Sequence, residues 1–330
     1  MKFEMCKRLA ITMGDINGIG PEVLAQALTT REDSDPAMLV IGDVDVLSAE
    51  GLIVDRVNDG SAWDSTSSPV AVWDADHRAP ARTPGVLSAE AGRCAMEWTR
   101  AAVELALAGT VDGIVTGPIN KDGIRLAGYD CMGHTDFIAD LVGAPKYRMS
   151  LFAGGMRAVH VSAHVPLAEA VLLVTRERVS ESIRIAHDGL KRLGIERGRV
   201  AVAGLNPHAG ENGMLGSEDG EVIVPAIADC RNEGIDCTGP HAPDAVFRHM
   251  QEGRYDVVVA MYHDQGHVPV KLAAMDEAVN VTLGLPIVRT SVGHGTAYDI
   301  AGTGAARPHS LLAAIEVAAT LASAGVTHAR

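Results

Sequence analysis

The amino-acid sequence predicts an α/β protein with largely parallel sheets. Short apolar runs that are typical of buried strands recur along the chain, and helical stretches rich in Ala, Leu, Glu and Arg separate several of them. Strands that alternate with helices at this spacing are typical of parallel sheets with crossover helices. With 330 residues, the chain is long enough for two such domains.

The elements follow in chain order. A strand over residues 9–13 leads into a glycine-rich loop from Gly14 to Glu22, and Pro21 suits the first turn of a helix that continues through about Thr29. Residues 55–84 are rich in Ser, Pro and Asp, and we interpret them as an irregular surface excursion. The other predicted strands are 38–42, 113–116, 158–162, 200–204 and 257–261, and the other predicted helices are 88–107, 180–193 and 222–233.

Composition excludes some classes of partner. The formal net charge of −14 argues against nucleic acid or an anionic membrane as the main partner. Five cysteines without a C-x-x-C pair indicate reduced thiols and a cytoplasmic location. The N-terminal residues lack the apolar core of a signal peptide, and no apolar run reaches membrane-spanning length.

Three histidines each follow a predicted strand and lie among small or turn-forming residues: His164, His208 and His263. Singly, each could be a structural histidine. Together they indicate a catalytic metal with one position open for substrate, because three neutral imidazoles are a common ligand set for such a metal. Nitrogen ligands favour Zn²⁺, Co²⁺ or Ni²⁺ over Mg²⁺, with Mn²⁺ and Mg²⁺ kept as alternatives. Asp264 could fix a ring tautomer.

Five further polar residues are candidates for substrate binding. His134 and Thr135 suit a phosphate or hydroxyl group, although such a pair could also form a turn or a helix cap. Arg289 lies in an apolar run, where a guanidinium usually faces an anion. Lys271 is also in apolar company, so desolvation would lower its pKa toward a useful range. Ion pairs with acidic residues remain the alternative for both cations, and Asn280 lies between them in the sequence.

Two glycine-containing loops could approach a ligand closely. The first loop, from Gly14 to Glu22, could cradle a phosphate or be a ligand-free turn. It is not the Rossmann fingerprint, because Val23 occupies the place of the third glycine. The second loop, from Val292 to Gly302, is bracketed by glycines and is expected to run into a helix. It could let the backbone approach a flat ligand or be a ligand-free glycine turn.

Taken together, the motifs resemble the 4-hydroxythreonine-4-phosphate dehydrogenase family from Ile11 to about Gly304. The motifs are M-G-D-x-x-G-I-G-P-E, G-H-T-D-F, N-P-H-A-G-E, M-Y-H-D-Q-G-H, N-V-T-L-G-L-P-I-V-R-T-S-V and H-G-T-A-Y-D-I-A-G. The resemblance implies an isocitrate/isopropylmalate dehydrogenase-like fold, with two α/β/α domains and an interdomain cleft. We expect residues 1–125 with 270–330 to form the first domain and residues 126–269 the second, which carries the metal ligands and the dimer interface.

The same resemblance implies roles for individual residues. A divalent metal would bind His164, His208 and His263, in a homodimer whose partner chain supplies one of the three. Substrate contacts would come from His134, Thr135, Lys271, Asn280 and Arg289, with Lys271 and His134 as the catalytic candidates. NAD, with NADP as an alternative, would contact His294, Gly295, Thr296, Ala297 and Asp299.

The implied reaction is oxidation and decarboxylation of a 4-phosphorylated C4 β-hydroxy acid such as 4-phosphohydroxy-L-threonine, as in pyridoxine biosynthesis. Met13-Gly14-Asp15 and His267 resemble the branch that acts on D-threonate or D-erythronate 4-phosphate. Gly293 and His267 are also similar to a cis-diol dehydrogenase branch that acts on a non-phosphorylated ring dicarboxylate. A zinc hydrolase that uses the three histidines is a rival of another class, and it would bind no dinucleotide. A catalytically silent paralogue is a further rival.

Overall fold

The computed structural model describes residues 7–30, 36–60, 63 and 70–323. The strands are β1 (Arg8–Thr12), β2 (Ala37–Ile41), β3 (Asp55–Arg56), β4 (Ala71–Trp73), β5 (Gly113–Thr116), β6 (Arg148–Ala153), β7 (Met156–His160), β8 (Val200–Ala203), β9 (Cys237–His241), β10 (Val257–Ala260), β11 (Val279–Leu283) and β12 (Arg289–Val292). The α-helices are α1 (Gly20–Thr29), α2 (Val44–Ala49), α3 (Ala89–Leu107), α4 (Lys121–Leu126), α5 (His134–Leu141), α6 (Leu167–Leu172), α7 (Arg176–Arg192), α8 (Val224–Asn232), α9 (Pro243–Gln251), α10 (His263–Ala274) and α11 (His309–Ser323).

The chain forms two compact units, one of Met1–Pro145 with Leu285–Arg330 and one of Lys146–Gly284. In the first unit the strand order is β3-β4-β2-β1-β5-β12, and all five pairs of neighbouring strands are parallel. β1, β2 and β5 are apolar and buried almost throughout, as expected for parallel strands covered on both faces. Pro21 lies in the first turn of α1, and the Ser88 hydroxyl accepts the Ala91 N–H at the start of α3.

In the second unit the strand order is β11-β6-β7-β10-β8-β9. β6 is antiparallel to β7 and β11, and the remaining pairings are parallel. The core between this sheet and its helices includes Leu151, Val258, Phe247, Met250 and Val270, all buried. The prediction of an α/β protein with largely parallel sheets is confirmed. In the described part of the chain, no helix is both long and apolar enough to cross a bilayer.

The structure differs from the predicted domain boundaries of residues 125/126 and 269/270. The first unit continues to residue 145 because Phe137 of α5 packs with Met96 of α3 and Ile124 of α4. The second unit continues to residue 284 because β11 pairs along its whole length with β6. Lys271 and Asn280 therefore belong to the same unit as the three candidate metal ligands.

The predicted surface excursion over residues 55–84 needs a correction. β3 and β4 lie within it and extend the parallel sheet of the first unit beyond β2. These strands are only two and three residues long, so their residues show too little periodicity to stand out from a Ser/Pro/Asp-rich segment. Part of the excursion, residues 61, 62 and 64–69, lies outside the described residues.

Three neighbouring strands of the second unit position the candidate metal ligands. β10 lies between β7 and β8 and is parallel to both. Because the carboxyl ends of adjacent parallel strands meet at one edge of a sheet, the residues that follow these strands are brought close together. His164 follows β7, His208 follows β8, and His263 is the first residue of α10 after β10.

Candidate active site

His164 and His263 line one cavity of about 280 Å³ in the second unit. Their ring centroids are 5.5 Å apart, a separation compatible with two imidazoles on one ion, since Zn–N bonds are about 2.0–2.1 Å long. The cavity is also lined by Ser162, Ala163, Val165, Leu167, Ala170, Tyr262 and Asp264. The structure therefore brings two of the three candidate ligands together.

His208 lies on a different part of the same sheet edge and is exposed. Its Nδ1 is 3.1 Å from Oε2 of Glu211, and the corresponding Nδ1 of His263 is 2.6 Å from Oδ1 of Asp264. A carboxylate on Nδ1 fixes the tautomer that leaves Nε2 as a metal donor. Among residues 7–30, 36–60, 63 and 70–323, no three His, Cys, Asp or Glu side chains group closely enough to hold a metal ion.

The donor atoms of this site are imidazole nitrogens, which fit a divalent ion. One copy of the chain brings together only two of the three candidate histidines. His164 and His263 supply adjacent imidazoles, and the carboxylate partners of His208 and His263 are the groups that usually orient metal-binding histidines. The three-histidine ligand set stays a prediction.

Two buried polar side chains hold the histidine loops, and sequence reasoning missed both. Gln265 accepts the Met261 N–H at 2.6 Å and donates to the Gly204 carbonyl at 2.7 Å, so it ties the end of β10 to the end of β8. The Asp219 carboxylate accepts the backbone N–H groups of Leu205 and Asn206 at 2.8 and 3.1 Å. No sequence spacing marks these residues, because each acts across a tertiary contact.

Two more histidines lie beside His263. The rings of His263 and His267 stack with centroids 3.7 Å apart and an interplanar angle of 16°. Nδ1 of His267 is 3.1 Å from Nε2 of His160, which is buried at the end of β7. Burial is the main cause that lowers the pKa of His160 to about 4 and that of His267 to about 2. His160 was not among the predicted site residues.

Lys271 and Asn280 are two half-buried residues of the second unit. Lys271 lies two turns after His263 on α10 and is half-buried, and the spacing of four residues puts His263, His267 and Lys271 on one helix face. Asn280 lies on β11 opposite Leu151 of β6 and is half-buried. Their predicted roles as a proton-transfer group and a substrate contact stay predictions.

Arg289, Thr135 and Thr116 meet in the first unit. Arg289 is the first residue of β12 and is 4% exposed. Its Nη2 donates to the Thr116 hydroxyl at 2.8 Å, and its Nη1 donates to the Thr135 hydroxyl at 3.3 Å. Burial lowers the pKa of the guanidinium to about 10, so it remains charged at neutral pH. A desolvated cation surrounded by hydroxyl groups is suited to binding an anionic group.

His134, the first residue of α5, lies beside this cation. It is buried, and its Nε2 is 3.2 Å from the Thr99 hydroxyl. Burial, followed by the charge of Arg289, lowers its pKa well below the usual value. His134 is therefore neutral at physiological pH and can act as a hydrogen-bond donor or acceptor without adding charge. His134, Thr135 and Arg289, which are distant in sequence, thus lie together, and their role in substrate binding stays a prediction.

The two glycine-containing loops of the first unit pack against each other. Ile19 N–H donates to the Thr296 carbonyl at 2.9 Å, and a Cβ on Gly18 would lie 2.8 Å from Cβ of Thr296. The Tyr298 hydroxyl donates to the buried Asp15 carboxylate at 2.6 Å. Burial raises the pKa of Asp15. The first loop thus supports the second directly, a contact that the sequence did not predict.

The second loop has a conformation different from the predicted one. Residues 295–297 are irregular, residues 298–304 form successive turns, and the next helix, α11, begins at His309. The Glu22 carboxylate accepts hydrogen bonds from the N–H groups of Gly302 and Gly304. These bonds stabilise the turns, and the loop does not continue as a helix at this point. Nδ1 of His294 is 2.9 Å from the Gly295 carbonyl, and Thr296 is buried. Backbone amides next to glycine could approach a dinucleotide here, and that role stays a prediction.

Comparison with known proteins gives relatives over almost the whole chain. D-threonate 4-phosphate dehydrogenase of Pectobacterium atrosepticum is 41% identical over 329 residues, covering 96% of this chain and 100% of the relative. 4-Hydroxythreonine-4-phosphate dehydrogenase of Geobacter metallireducens is 42% identical over 323 residues, covering 96% of this chain and 95% of the relative. The crystal structure of 4-hydroxythreonine-4-phosphate dehydrogenase from Klebsiella pneumoniae has a TM-score of 0.86 at 38% identity, covering 97% of this chain and 99% of that chain.

Full-length relatives that are dehydrogenases define the class of this protein, which is an oxidoreductase acting on a CH–OH group. A family model described as "Pyridoxal phosphate biosynthetic protein PdxA" matches residues 34–318. The chain belongs to this family, and the resemblance inferred from the sequence motifs is confirmed.

Proposed function

We propose that this protein oxidises, and thereby decarboxylates, a 4-phosphorylated C4 hydroxy acid, with NAD or NADP as the oxidant and a divalent metal, Zn²⁺ foremost, as the resident cofactor. One observation carries the proposal. The buried Arg289 guanidinium is oriented by the Thr116 and Thr135 hydroxyls next to the neutral His134. A dehydrogenase of non-ionic alcohols would have no use for a buried cation arranged in this way.

Arg289, Thr135 and His134 bind an anionic end of the substrate. The two threonine hydroxyls fix the plane of the guanidinium, which lowers the entropic cost of forming paired hydrogen bonds to a phosphate or carboxylate. The neutral His134 adds a hydrogen bond without competing electrostatically with Arg289. These residues act by binding and orientation.

His164, His208 and His263 are the residues that would hold the metal, and Asp264 and Glu211 orient two of them. When bound, a divalent metal lowers the pKa of a coordinated hydroxyl and stabilises negative charge on oxygen. Nζ of Lys271 is the group proposed to transfer a proton. NAD or NADP would lie against the loop that contains His294, Gly295, Thr296, Ala297 and Asp299.

A homodimer completes this proposal. Large apolar side chains of the second unit are exposed near the histidine loops: Leu167 and Leu172 of α6, Val268 and Leu272 of α10, Met214 and Met275. Such a group of exposed apolar side chains is typical of a protein interface. A second copy at this surface would cover it and could bring the third histidine of the ligand set.

Among the substrates, D-threonate 4-phosphate is the first candidate. Its support is the name of the relative from Pectobacterium atrosepticum, together with Asp15 and His267, which match the D-threonate branch in sequence. 4-Phosphohydroxy-L-threonine is the second candidate, supported by the relative from Geobacter metallireducens. The two differ by a hydroxyl against an amino group, and either places a phosphate at the far end from the carboxylate.

The test is turnover by the purified protein with Zn²⁺, Mn²⁺ or Co²⁺ and NAD⁺ or NADP⁺, followed by the absorbance of the reduced nicotinamide. Substrates are D-threonate 4-phosphate, D-erythronate 4-phosphate and 4-phosphohydroxy-L-threonine, with non-phosphorylated D-threonate as the matched control. We expect the control to be slower in kcat/KM by about 100-fold or more, the value of two charge-assisted hydrogen bonds. Equal turnover of the control, or no nicotinamide reduction with any phosphorylated acid, refutes the proposal.

A further inference from the structure

Three imidazoles lie in a row at the carboxyl ends of β7 and β10 in the second unit. His160 is buried at the end of β7, His267 is buried one turn into α10, and His263 begins that helix. His160 and His267 share a hydrogen bond, and His267 stacks on His263. Two of these rings are absent from the ligand set, so their presence needs a separate explanation.

The direction of every hydrogen bond in the row follows from its first member. Nδ1 of His160 is 3.0 Å from the Met149 carbonyl, and a carbonyl only accepts, so His160 carries its hydrogen on Nδ1. His160 is buried, and as a neutral ring with its one hydrogen on Nδ1 it has Nε2 as an acceptor. His267 must then donate from Nδ1, which fixes its ring plane and its tautomer.

The stacked geometry excludes His267 as a co-ligand of His263. A metal lies in the plane of the imidazole that binds it, and the planes of these two rings are nearly parallel with centroids 3.7 Å apart. One ion cannot lie in both planes at that spacing. The ring face of His267 instead packs against the ring of His263. Nδ1 of His263 is 2.6 Å from Oδ1 of Asp264.

Gly266 makes the row possible. A Cβ at this position would collide with Nε2 of His160 and would lie 3.0 Å from its Cδ2. Only glycine therefore lets α10 approach β7 closely enough for His160 to reach His267. A methyl group at residue 266 would push the His160 ring away while leaving all three histidines in the sequence.

We propose that His160 and His267 are positioning residues for the metal: their hydrogen bond fixes the ring of His267, and its face fixes the orientation of His263 toward the ion. The inference rests on the proposed function, since it requires that His263 bind a metal. Its consequence is that metal affinity depends on residues that never touch the ion. Positioning partners of metal-binding histidines typically change metal affinity by about 10- to 100-fold.

The test is Zn²⁺ affinity of the metal-free full-length protein, measured by competition with a chromophoric chelator, together with the visible spectrum of the Co²⁺-loaded protein. The variants are His267→Asn, which keeps a hydrogen-bonding group but removes the ring face, and Gly266→Ala, which displaces His160. His309→Asn, an exposed histidine at the start of α11, is the matched control.

We expect both variants to bind Zn²⁺ about 10- to 100-fold more weakly, with an altered Co²⁺ spectrum, and the control to match the parent. A purely structural role would lower the unfolding temperature and leave the Co²⁺ spectrum of the folded protein unchanged. Parent-like affinity and spectrum in both variants overturn the inference alone, and if one variant fails to fold, the other decides. A parent chain that binds no Zn²⁺ overturns the metal part of the proposed function, and this inference with it.

Discussion

Replacing Arg289 by Lys should raise the KM for the phosphorylated substrate far more than it lowers kcat. The guanidinium is buried, and the Thr116 and Thr135 hydroxyls fix its plane through hydrogen bonds of 2.8 and 3.3 Å. A lysine ammonium would keep the charge but lose the paired geometry, because its donors radiate from one nitrogen. The loss of one charge-assisted hydrogen bond costs about 1.5–3 kcal/mol, which corresponds to an increase in KM of about 10- to 150-fold.

The assay is initial-rate kinetics across substrate concentrations at saturating dinucleotide. Arg148→Lys is the matched control: Arg148 is also 4% exposed, but it is held by Glu181 at 2.6 Å and Ser182 at 2.7 Å within the second unit. That variant should lose stability and keep its KM. A fall in kcat of Arg289→Lys at constant KM would show that Arg289 acts in the transition state and would refute the binding role. Unchanged kinetics would refute both roles.

Three other predictions follow from the contacts of single side chains. Removing the Asp219 carboxylate (Asp219→Ala) leaves the part-buried N–H groups of Leu205 and Asn206 without their acceptor, so the free energy of unfolding in urea should fall by about 1–3 kcal/mol. A fall below about 0.5 kcal/mol would contradict the role of this carboxylate. Tyr298→Phe removes the donor to Asp15 and should raise the KM for the dinucleotide about tenfold while leaving the KM for the phosphorylated acid unchanged; equal effects on both would contradict a local role. Because burial depresses the pKa of His134, the unfolded state binds more protons than the folded state below about pH 6.5, and the protein loses stability as the pH falls. His134→Asn should therefore reduce the loss of unfolding free energy between about pH 8 and pH 5 by about 2 kcal/mol relative to the parent. An unchanged loss would contradict the burial of a neutral ring.

Local sequence patterns predicted the strands and loops that carry the site. The apolar runs before His164, His208 and His263 form β7, β8 and β10, with shifts of one or two residues at their ends. The patterns work here because parallel strands buried on both faces are continuously apolar. The same patterns did not predict β6, β9, β11 or β12. β9 contains Gly239 and Pro240, and the other three strands contain polar residues that interrupt their apolar runs.

The side chains that support the site were beyond the reach of local patterns. Asp219 and His160 lie outside the quoted motifs, and Gln265 lies inside one without an assigned role. The contacts of these residues become apparent only when two strand ends lie side by side. The motifs pointed to the side chains that we propose to contact substrate or metal. The atoms that orient them depend on the tertiary pairing of β7, β10 and β8, which one sequence without its fold does not specify.

The backbone is strained at two of the predicted metal ligands. His164 and His208 both have positive φ, 50° and 52°, and the strained stretch after His208 continues through Ala209, Glu211 and Asn212. Non-glycine residues in this region cost about 1 kcal/mol or more each, and such a conformation persists only where surrounding contacts hold it. Asp219 provides those contacts at the start of the stretch. For His164 and His208 as the proposed metal ligands, a strained backbone would orient the imidazole before the ion binds. The cost in stability is then offset at binding, because less conformational entropy remains to be lost.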